Sequence, residues 1–219
     1  MKTCLSEKFQ RPIKTGFTLV ELLITLAILA VLFSLLLTSI SKAKDKARQI
    51  VCMNNLRQIG TALNIYATDN DGRLPNLWAA DWLQCFWPQV GPLLGEPMTV
   101  LADKYKTRIY KCPAEKYVGT VLGQGPVYAL NYKLKDASRS NASLYAGCAL
   151  SEISNPGNTL LVGDAFFMAS WSNSSSQIST VNESQAGIGY RHSGGANLLF
   201  VDGHAAWQEK PAPSGIITK

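Results

Sequence analysis

The stretch KTGFTLVELLITLAILAVLFSLLLTSISKAK, Lys14 to Lys44, decides the architecture. From Phe17 to Ile40 it runs 24 residues without Lys, Arg, Pro or Gly, and about 20 apolar residues suffice to cross a bilayer as a helix. It exceeds the roughly 7 to 15 apolar residues of a secretory signal, and no A-x-A cleavage site follows it. Residues 17–40 therefore read as a transmembrane helix. One carboxylate, Glu21, sits near its start. A lone acid in hydrocarbon costs about 2.5 to 3.5 kcal/mol on insertion scales, so it marks a functional position and calls for a partner. Flanking charge does not orient the segment, because Lys42, Lys44, Lys46 and Arg48 follow it as densely as basic residues precede it.

The boundary Thr15-Gly16-Phe17-Thr18-Leu19-Val20-Glu21 carries the next inference. Gly16 gives a protease access to the backbone just before the helix, and Glu21 lies one helical turn beyond Phe17 on the same face. Cleavage after Gly16 would leave a free Phe17 amine beside that carboxylate. The alternative is an acid that snorkels to the interface, which predicts a tolerant position. These residues resemble the class III signal of type IV pilins and type II secretion pseudopilins: a basic leader, Gly, Phe, then Glu at the fifth mature position. The resemblance implies removal of residues 1–16 by a prepilin peptidase on the cytoplasmic side and methylation of the Phe17 amine. It also implies a single-pass inner-membrane anchor with its head in the periplasm, or at the cell surface within a filament. Glu21 would then pair with the Phe17 amine of an adjacent pilin-like subunit during assembly. The family often carries a helix-kinking Pro a few turns in; here none occurs between Pro12 and Pro75, which predicts a straighter helix.

Charge fits this division. Lys2, Lys8, Arg11 and Lys14 against Glu7 place half of the net +6 in the leader. A nucleic-acid partner is therefore not expected on charge grounds. The cluster Lys42 to Arg48 lacks interleaved aromatics and reads as a collar facing lipid phosphate. The chain as a whole, with 47% hydrophobic residues, five Trp and eight Tyr, is rich enough in core-forming residues to build a globular unit.

Helical periodicity continues past the membrane run. Cys52, Leu56, Ile59, Leu63 and Tyr66 recur at steps of four and three, with Asn54, Asn55, Arg57 and Asn64 on other faces. Residues 41–68 thus form an amphipathic continuation, stopped by Asp69-Asn70-Asp71-Gly72 and Pro75. Residues 69–219 read as a head, giving an α+β fold in which a long N-terminal helix packs on a small antiparallel β-sheet. Strands are expected at Arg108–Cys112, Val127–Lys133, Thr159–Val162 and Leu198–Val201. The Ser- and Asn-rich stretch Met168–Gly187 reads as a surface loop, and residues 77–90 as a short helix or packed loop. Asp202-Gly203 signals a two-residue hairpin turn.

His192, nine residues, then Asp202-Gly203 resembles the C-terminal signature of a prepilin-like family. That resemblance also touches CMNNLRQIGTALNIYATDNDGRLP, YKCPAE around Cys112 and LVGDAF around Asp164. It says nothing about a ligand; a structural role is expected for His192, Asp202 and Gly203, with His192 bonding a turn or carboxylate. Asp164, His192, Asp202 and His204 supply ligand types suited to zinc, but their convergence depends on the fold, and no metal or other cofactor is expected. Asp69, Asp71 and Asp164 are too few for calcium without backbone oxygens. No G-x-S-x-G elbow, HExxH or Cys near a His in sequence points to an enzyme.

Cys4 would leave with the leader, so Cys52, Cys85, Cys112 and Cys148 remain for disulfides, in three alternative pairings. A bond from Cys52 would staple the helix to the head. Two further readings remain. One is a membrane-anchored module binding sugar or DNA, favoured if Trp78, Trp82 and Trp87 form an open groove. The other is an anchored metal-dependent enzyme, favoured if His192, Asp202 and His204 meet Asp164 in a cleft.

Overall fold

The computed structural model describes residues 16–79, 86–96, 108–114, 128–141, 144–165, 177–178 and 187–218. Two compact units, one ending at Ala43 and one beginning at Lys44, both draw on a single helix, α1 (Leu19–Asp69). In the first unit the large apolar side chains from Phe17 to Leu37 are exposed. In the second, Gln49, Cys52, Leu56, Ile59, Leu63 and Ala67 are buried, a stripe at steps of three and four that faces the sheet. The expected stripe is present, with Tyr66 half-buried at its end. Asn55, placed on another face by the periodicity, is buried instead. Its amide donates to the Lys111 carbonyl at 3.2 Å and to Tyr128 Oη at 3.5 Å, so hydrogen bonding offsets the cost of burying it.

α1 ends one residue beyond the expected Thr68. The Asn70 side chain donates back to the Tyr66 carbonyl at 2.8 Å, and the Gly72 amide reaches the Ala67 carbonyl at 2.7 Å. Asp71 and Gly72 both take positive φ, 54° and 72°, a left-handed pair that cannot continue the helix.

Two short elements follow, β1 (Trp78–Ala79) and α2 (Phe86–Val90). The main sheet comprises β2 (Tyr128–Asn131), β4 (Leu160–Asp164), β5 (Gln177–Ile178), β6 (Gly195–Phe200) and β7 (Ala205–Glu209). β3 (Leu144–Tyr145) pairs with β1 in a separate ribbon. The sheet order is β5-β2-β4-β6-β7. All neighbours are antiparallel except β5, which runs parallel to β2.

Alternation along the strands sorts side chains to two faces. Tyr128, Leu130, Val162 and Leu199 join Cys52, Leu56, Ile59 and Leu63 in the core beneath α1. Ala129, Leu160, Leu198 and Phe200 face the other way, under Ile188, Ala212, Ile216 and Ile217. Because the C-terminal segment covers this second face, the central strands are buried on both sides. They therefore read as continuous apolar runs rather than alternating ones.

Four expectations change. Arg108–Cys112 is a turn, not a strand. The Glu96 carboxylate accepts from the Arg108 and Ile109 amides at 3.0 and 3.4 Å, and the Lys111 amide closes onto the Arg108 carbonyl at 3.2 Å, so these donors are taken before any ladder can form. The strand expected at Val127–Lys133 gives way after Asn131, whose side chain accepts from the Lys133 amide at 3.0 Å and starts a 3₁₀ turn. The stretch Met168–Gly187 contains β5, anchored by the fully buried Ile178; residues 168–176 and 179–186 lie outside the described residues.

The fourth change is the β6–β7 hairpin, which has three loop residues, not two. The Gly203 amide bonds the Phe200 carbonyl at 3.0 Å, and the Phe200 amide bonds the His204 carbonyl at 2.9 Å. Gly203 adopts φ 91°, the left-handed position that follows a type I turn in three-residue hairpins.

Candidate functional site

At the N-terminal boundary, Gly16 and Phe17 are exposed and precede the helix. Thr18 is the N-cap. Its hydroxyl accepts from the Glu21 amide at 3.2 Å, while the Glu21 carboxylate accepts from the Thr18 amide and the Thr18 hydroxyl, each at 2.9 Å. This reciprocal pair is a capping box, which satisfies orphan donors of the first turn. The sequence reading sought an external partner for Glu21 and missed this internal one, although the T-x-x-E spacing was legible.

In the head, α1, β4, β6 and the turn at Cys112 place a buried polar cluster against the sheet. Cys52 and Cys112 form a disulfide with a Cα–Cα distance of 5.3 Å, tying α1 to the turn. His192 Nε2 stands 3.4 Å from Cys112 Sγ and 3.3 Å from Asp164 Oδ2. The same Asp164 oxygen accepts from the Asn197 amide at 2.7 Å. His192 is fixed by its backbone, which exchanges bonds of 2.9 and 3.0 Å with Gly195, and by Trp207 Nε1, which donates to its carbonyl at 2.8 Å. Asn197 in turn donates to the Gln49 carbonyl at 3.1 Å. Burial, reinforced by the Asp164 charge, pushes the Tyr128 phenol up, so it stays protonated beside Asn55 and the Cys52 carbonyl.

Residues 11–37 match the prokaryotic N-terminal methylation motif. The N-terminal segment is pilin-like. Over 61 residues the chain is 33% identical to the type II secretion system core protein G of Pseudomonas aeruginosa, a match covering 28% of this chain and 43% of that protein. The chain thus spans less than half the length of this relative. No solved structure matches it. Its α1 is long and apolar enough to cross a membrane.

The four zinc candidates of the head do not form one site. Asp164 and His192 are a buried pair, whereas Asp202 and His204 pair separately at 2.6 Å on the exposed hairpin. There the His204 ring stacks on Phe200 at 4.3 Å, and its amide also donates to Asp202 Oδ1 at 3.0 Å. Burial opposes ionisation of Asp202, yet these bonds to His204 hold its carboxyl below the usual range. Asp202 and Gly203 thus shape the turn. Among the described residues, the group with metal-ligand types in mutual reach is Cys52, Cys112 and His192, with ligand atoms within 4.8 Å of one another. The sequence pattern missed it because its members lie 60 and 80 residues apart.

Trp87 is buried, its ring against Phe86 and Tyr110 at 4.1 and 4.3 Å, so it lines no open groove. Trp82, Cys85 and the side chain of Trp78 lie outside the described residues. Cys148 is buried in the core.

Proposed function

We propose that this chain is a pseudopilin-type subunit, cleaved after Gly16 by a prepilin peptidase and methylated on the Phe17 amine. It is held in the inner membrane by residues 17–40 with its head in the periplasm. Through α1 it assembles with other pilin-like subunits into a type II secretion or type IV pilus-like filament. The observation that carries the reading is the junction itself: an exposed Gly16-Phe17 step leading into a capped, lipid-suited helix within the methylation motif. The apolar side chains from Leu19 to Leu37 are exposed in the isolated chain. They are the surface that a bilayer covers before assembly and that neighbouring helices cover after it. Lys42, Lys44, Lys46 and Arg48 supply the collar for lipid phosphate just beyond the anchor. The closed Asp164–His192 pair offers no access to a substrate, which favours a structural subunit over an anchored enzyme.

The test is the intact mass and N-terminal residue of the membrane-extracted protein, made with and without a co-expressed prepilin peptidase. A start at Phe17 carrying one methyl group is the expected result. A start at Met1 beside an active peptidase would reduce the segment to an ordinary anchor and overturn the proposal.

A further inference from the structure

The disulfide is built against a buried acid–base pair that anchoring and assembly do not call on. His192 Nε2 stands 3.4 Å from Cys112 Sγ and 3.3 Å from Asp164 Oδ2, and Cys52 Sγ lies within 4.8 Å of the same imidazole. Joined to each other, the sulfurs are not offered to a metal, and the chemistry open to this grouping is that of sulfur and proton exchange. Burying an imidazole and a carboxylate is costly unless their hydrogen bonds are met. Neither His192 Nδ1 nor Asp164 Oδ1 has a partner, although both residues are at most 2% exposed. A histidine kept for packing alone would ordinarily use both nitrogens, whereas this one turns a single nitrogen to a carboxylate and to a sulfur.

The two sulfurs are placed unequally. Cys52 belongs to α1, whereas Cys112 ends a turn that docks on α1 through the Asn55 amide, which donates to the Lys111 carbonyl at 3.2 Å. Docking of that turn brings Cys112 Sγ against Cys52 and His192 Nε2 together. The imidazole itself is set in place late in the chain, by the backbone bonds of 2.9 and 3.0 Å between His192 and Gly195 at the start of β6. Asp164 is held by the Asn197 amide at 2.7 Å, so the carboxylate keeps its station whether or not the sulfurs are joined.

We propose that His192 is the internal base that closes the Cys52–Cys112 disulfide, with Asp164 as its positioning residue. A disulfide-bearing oxidant first exchanges onto Cys52, which gives a mixed disulfide and releases one thiol. The docking turn then delivers Cys112, whose thiol proton passes to His192 Nε2, where Asp164 Oδ2 accepts the new N–H. The Cys112 thiolate attacks Cys52 Sγ, and the bond from Cys52 to the oxidant breaks. Its electron pair leaves on the oxidant's sulfur, which takes up a proton from solvent as His192 gives one back. Two cysteine thiols thus become one disulfide, and one disulfide oxidant becomes two thiols. Because His192 is in place only once β6 has formed, the helix is stapled to the head after the C-terminal hairpin folds, not before. The supply of oxidant rests on the proposed periplasmic location of the head; the chemistry does not depend on cleavage or assembly.

The test is closure of the reduced full chain in detergent by oxidised glutathione, quenched in acid and mapped by mass spectrometry. Cys52 carrying glutathione and the Cys52–Cys112 bond are counted separately against time, which reads the closing step apart from the first exchange. An unassisted thiol, ionising near 8.5, closes roughly 100-fold more slowly at about pH 6 than at about pH 8. The native chain should slow by less than about tenfold over that range, because a thiol paired with an imidazole yields its thiolate at lower pH. Among the described residues, the groups around Nε2 are Asp164 from β4 and the two cysteines, with the Tyr128 phenol of β2 and the Arg191 guanidinium beyond Asp164. Tyr128 stays protonated and Arg191 charged throughout the window, so neither shapes the profile. His192→Gln should accumulate the Cys52 mixed disulfide and recover the full pH dependence, and Asp164→Asn should fall between the two. Near-ultraviolet circular dichroism of the reduced proteins reports folding, and the native profile decides alone where a variant does not fold. A native closing step that slows roughly 100-fold overturns the proposal, as does a folded His192→Gln chain that closes as fast as the native one at about pH 6. Glutathione found on Cys112 in place of Cys52 overturns it too. Since every readout is made on the uncleaved, unassembled chain, its failure is distinct from a failure of the pseudopilin reading.

Discussion

Gly60 of α1 faces Leu199 of β6 so closely that a Cβ at residue 60 would stand 2.7 Å from Leu199 Cδ2. This close approach explains a Gly in the middle of a helix, where it otherwise costs about 1 kcal/mol relative to Ala. The atom in the way is the tip of a flexible side chain, so Gly60→Ala should be close to neutral, gained propensity offsetting a small shift of Leu199. Gly60→Val should destabilise by about 1 to 3 kcal/mol through overpacking. Denaturant unfolding of the detergent-solubilised chain, followed by Trp fluorescence, separates the two; equal midpoints for both variants would contradict the close packing.

The Cys52–Cys112 bond closes a loop of 60 residues, for which the chain-entropy account gives roughly 4 kcal/mol of stabilisation. Cys52→Ala/Cys112→Ala should therefore lower the unfolding midpoint substantially. Adding reductant should lower the midpoint of the native chain and leave that of the variant nearly unmoved. A native chain insensitive to reductant would mean that this bond is absent or unimportant.

How far the sequence reaches can be judged from these same residues. Cys52, Leu56, Ile59 and Leu63 were legible as one stripe because helical periodicity is local. The strands that carry Val162 and Leu199 were legible as short apolar runs because both their faces are buried. The Arg108–Cys112 turn was not, since the carboxylate that captures its amides belongs to Glu96, and no local rule announces that capture. The same limit hid the cluster at His192. Its sulfur, imidazole and carboxylate meet only through the order β2-β4-β6 beneath α1, whereas Asp202 and His204, close to His192 in sequence, turn away on a hairpin tip.

Asp136 joins two stretches of the head. Its carboxylate accepts from the Ser138 hydroxyl at 2.6 Å and the Ser138 amide at 2.9 Å, and from Arg73 at 3.0 Å. The Ser138 hydroxyl contributes most, burial opposes, and the Ser138 and Arg139 amides and Arg73 add to it, together holding the carboxyl down to about 2. A depressed folded pKa stabilises above the unfolded value, near 4, and that contribution fades as pH falls from about 4 to about 2. Asp136→Asn should thus be less stable than the native chain at neutral pH, with the difference shrinking across that window. A constant difference from about pH 6 to about pH 2 would rule out the charged carboxylate as the cause.

Glu21 has two roles that one substitution can separate. Its carboxylate closes the capping box with Thr18 at 2.9 Å, and under the proposed function it also offers a negative charge to the Phe17 amine of a neighbouring subunit. Gln serves as well as Glu at this position of a capping box, so Glu21→Gln keeps an acceptor for Thr18 and removes only the charge. The variant should insert and be cleaved after Gly16 like the native chain but fail to enter filaments, measured as the sheared, pelletable fraction. Thr18→Ala makes the opposite cut, costing the cap roughly 0.5 to 2 kcal/mol while leaving the charge in place, and should assemble in reduced but measurable amount. If Glu21→Gln assembled normally while Thr18→Ala did not, the acid would be there for the helix terminus alone, and subunit register would have to come from elsewhere on α1.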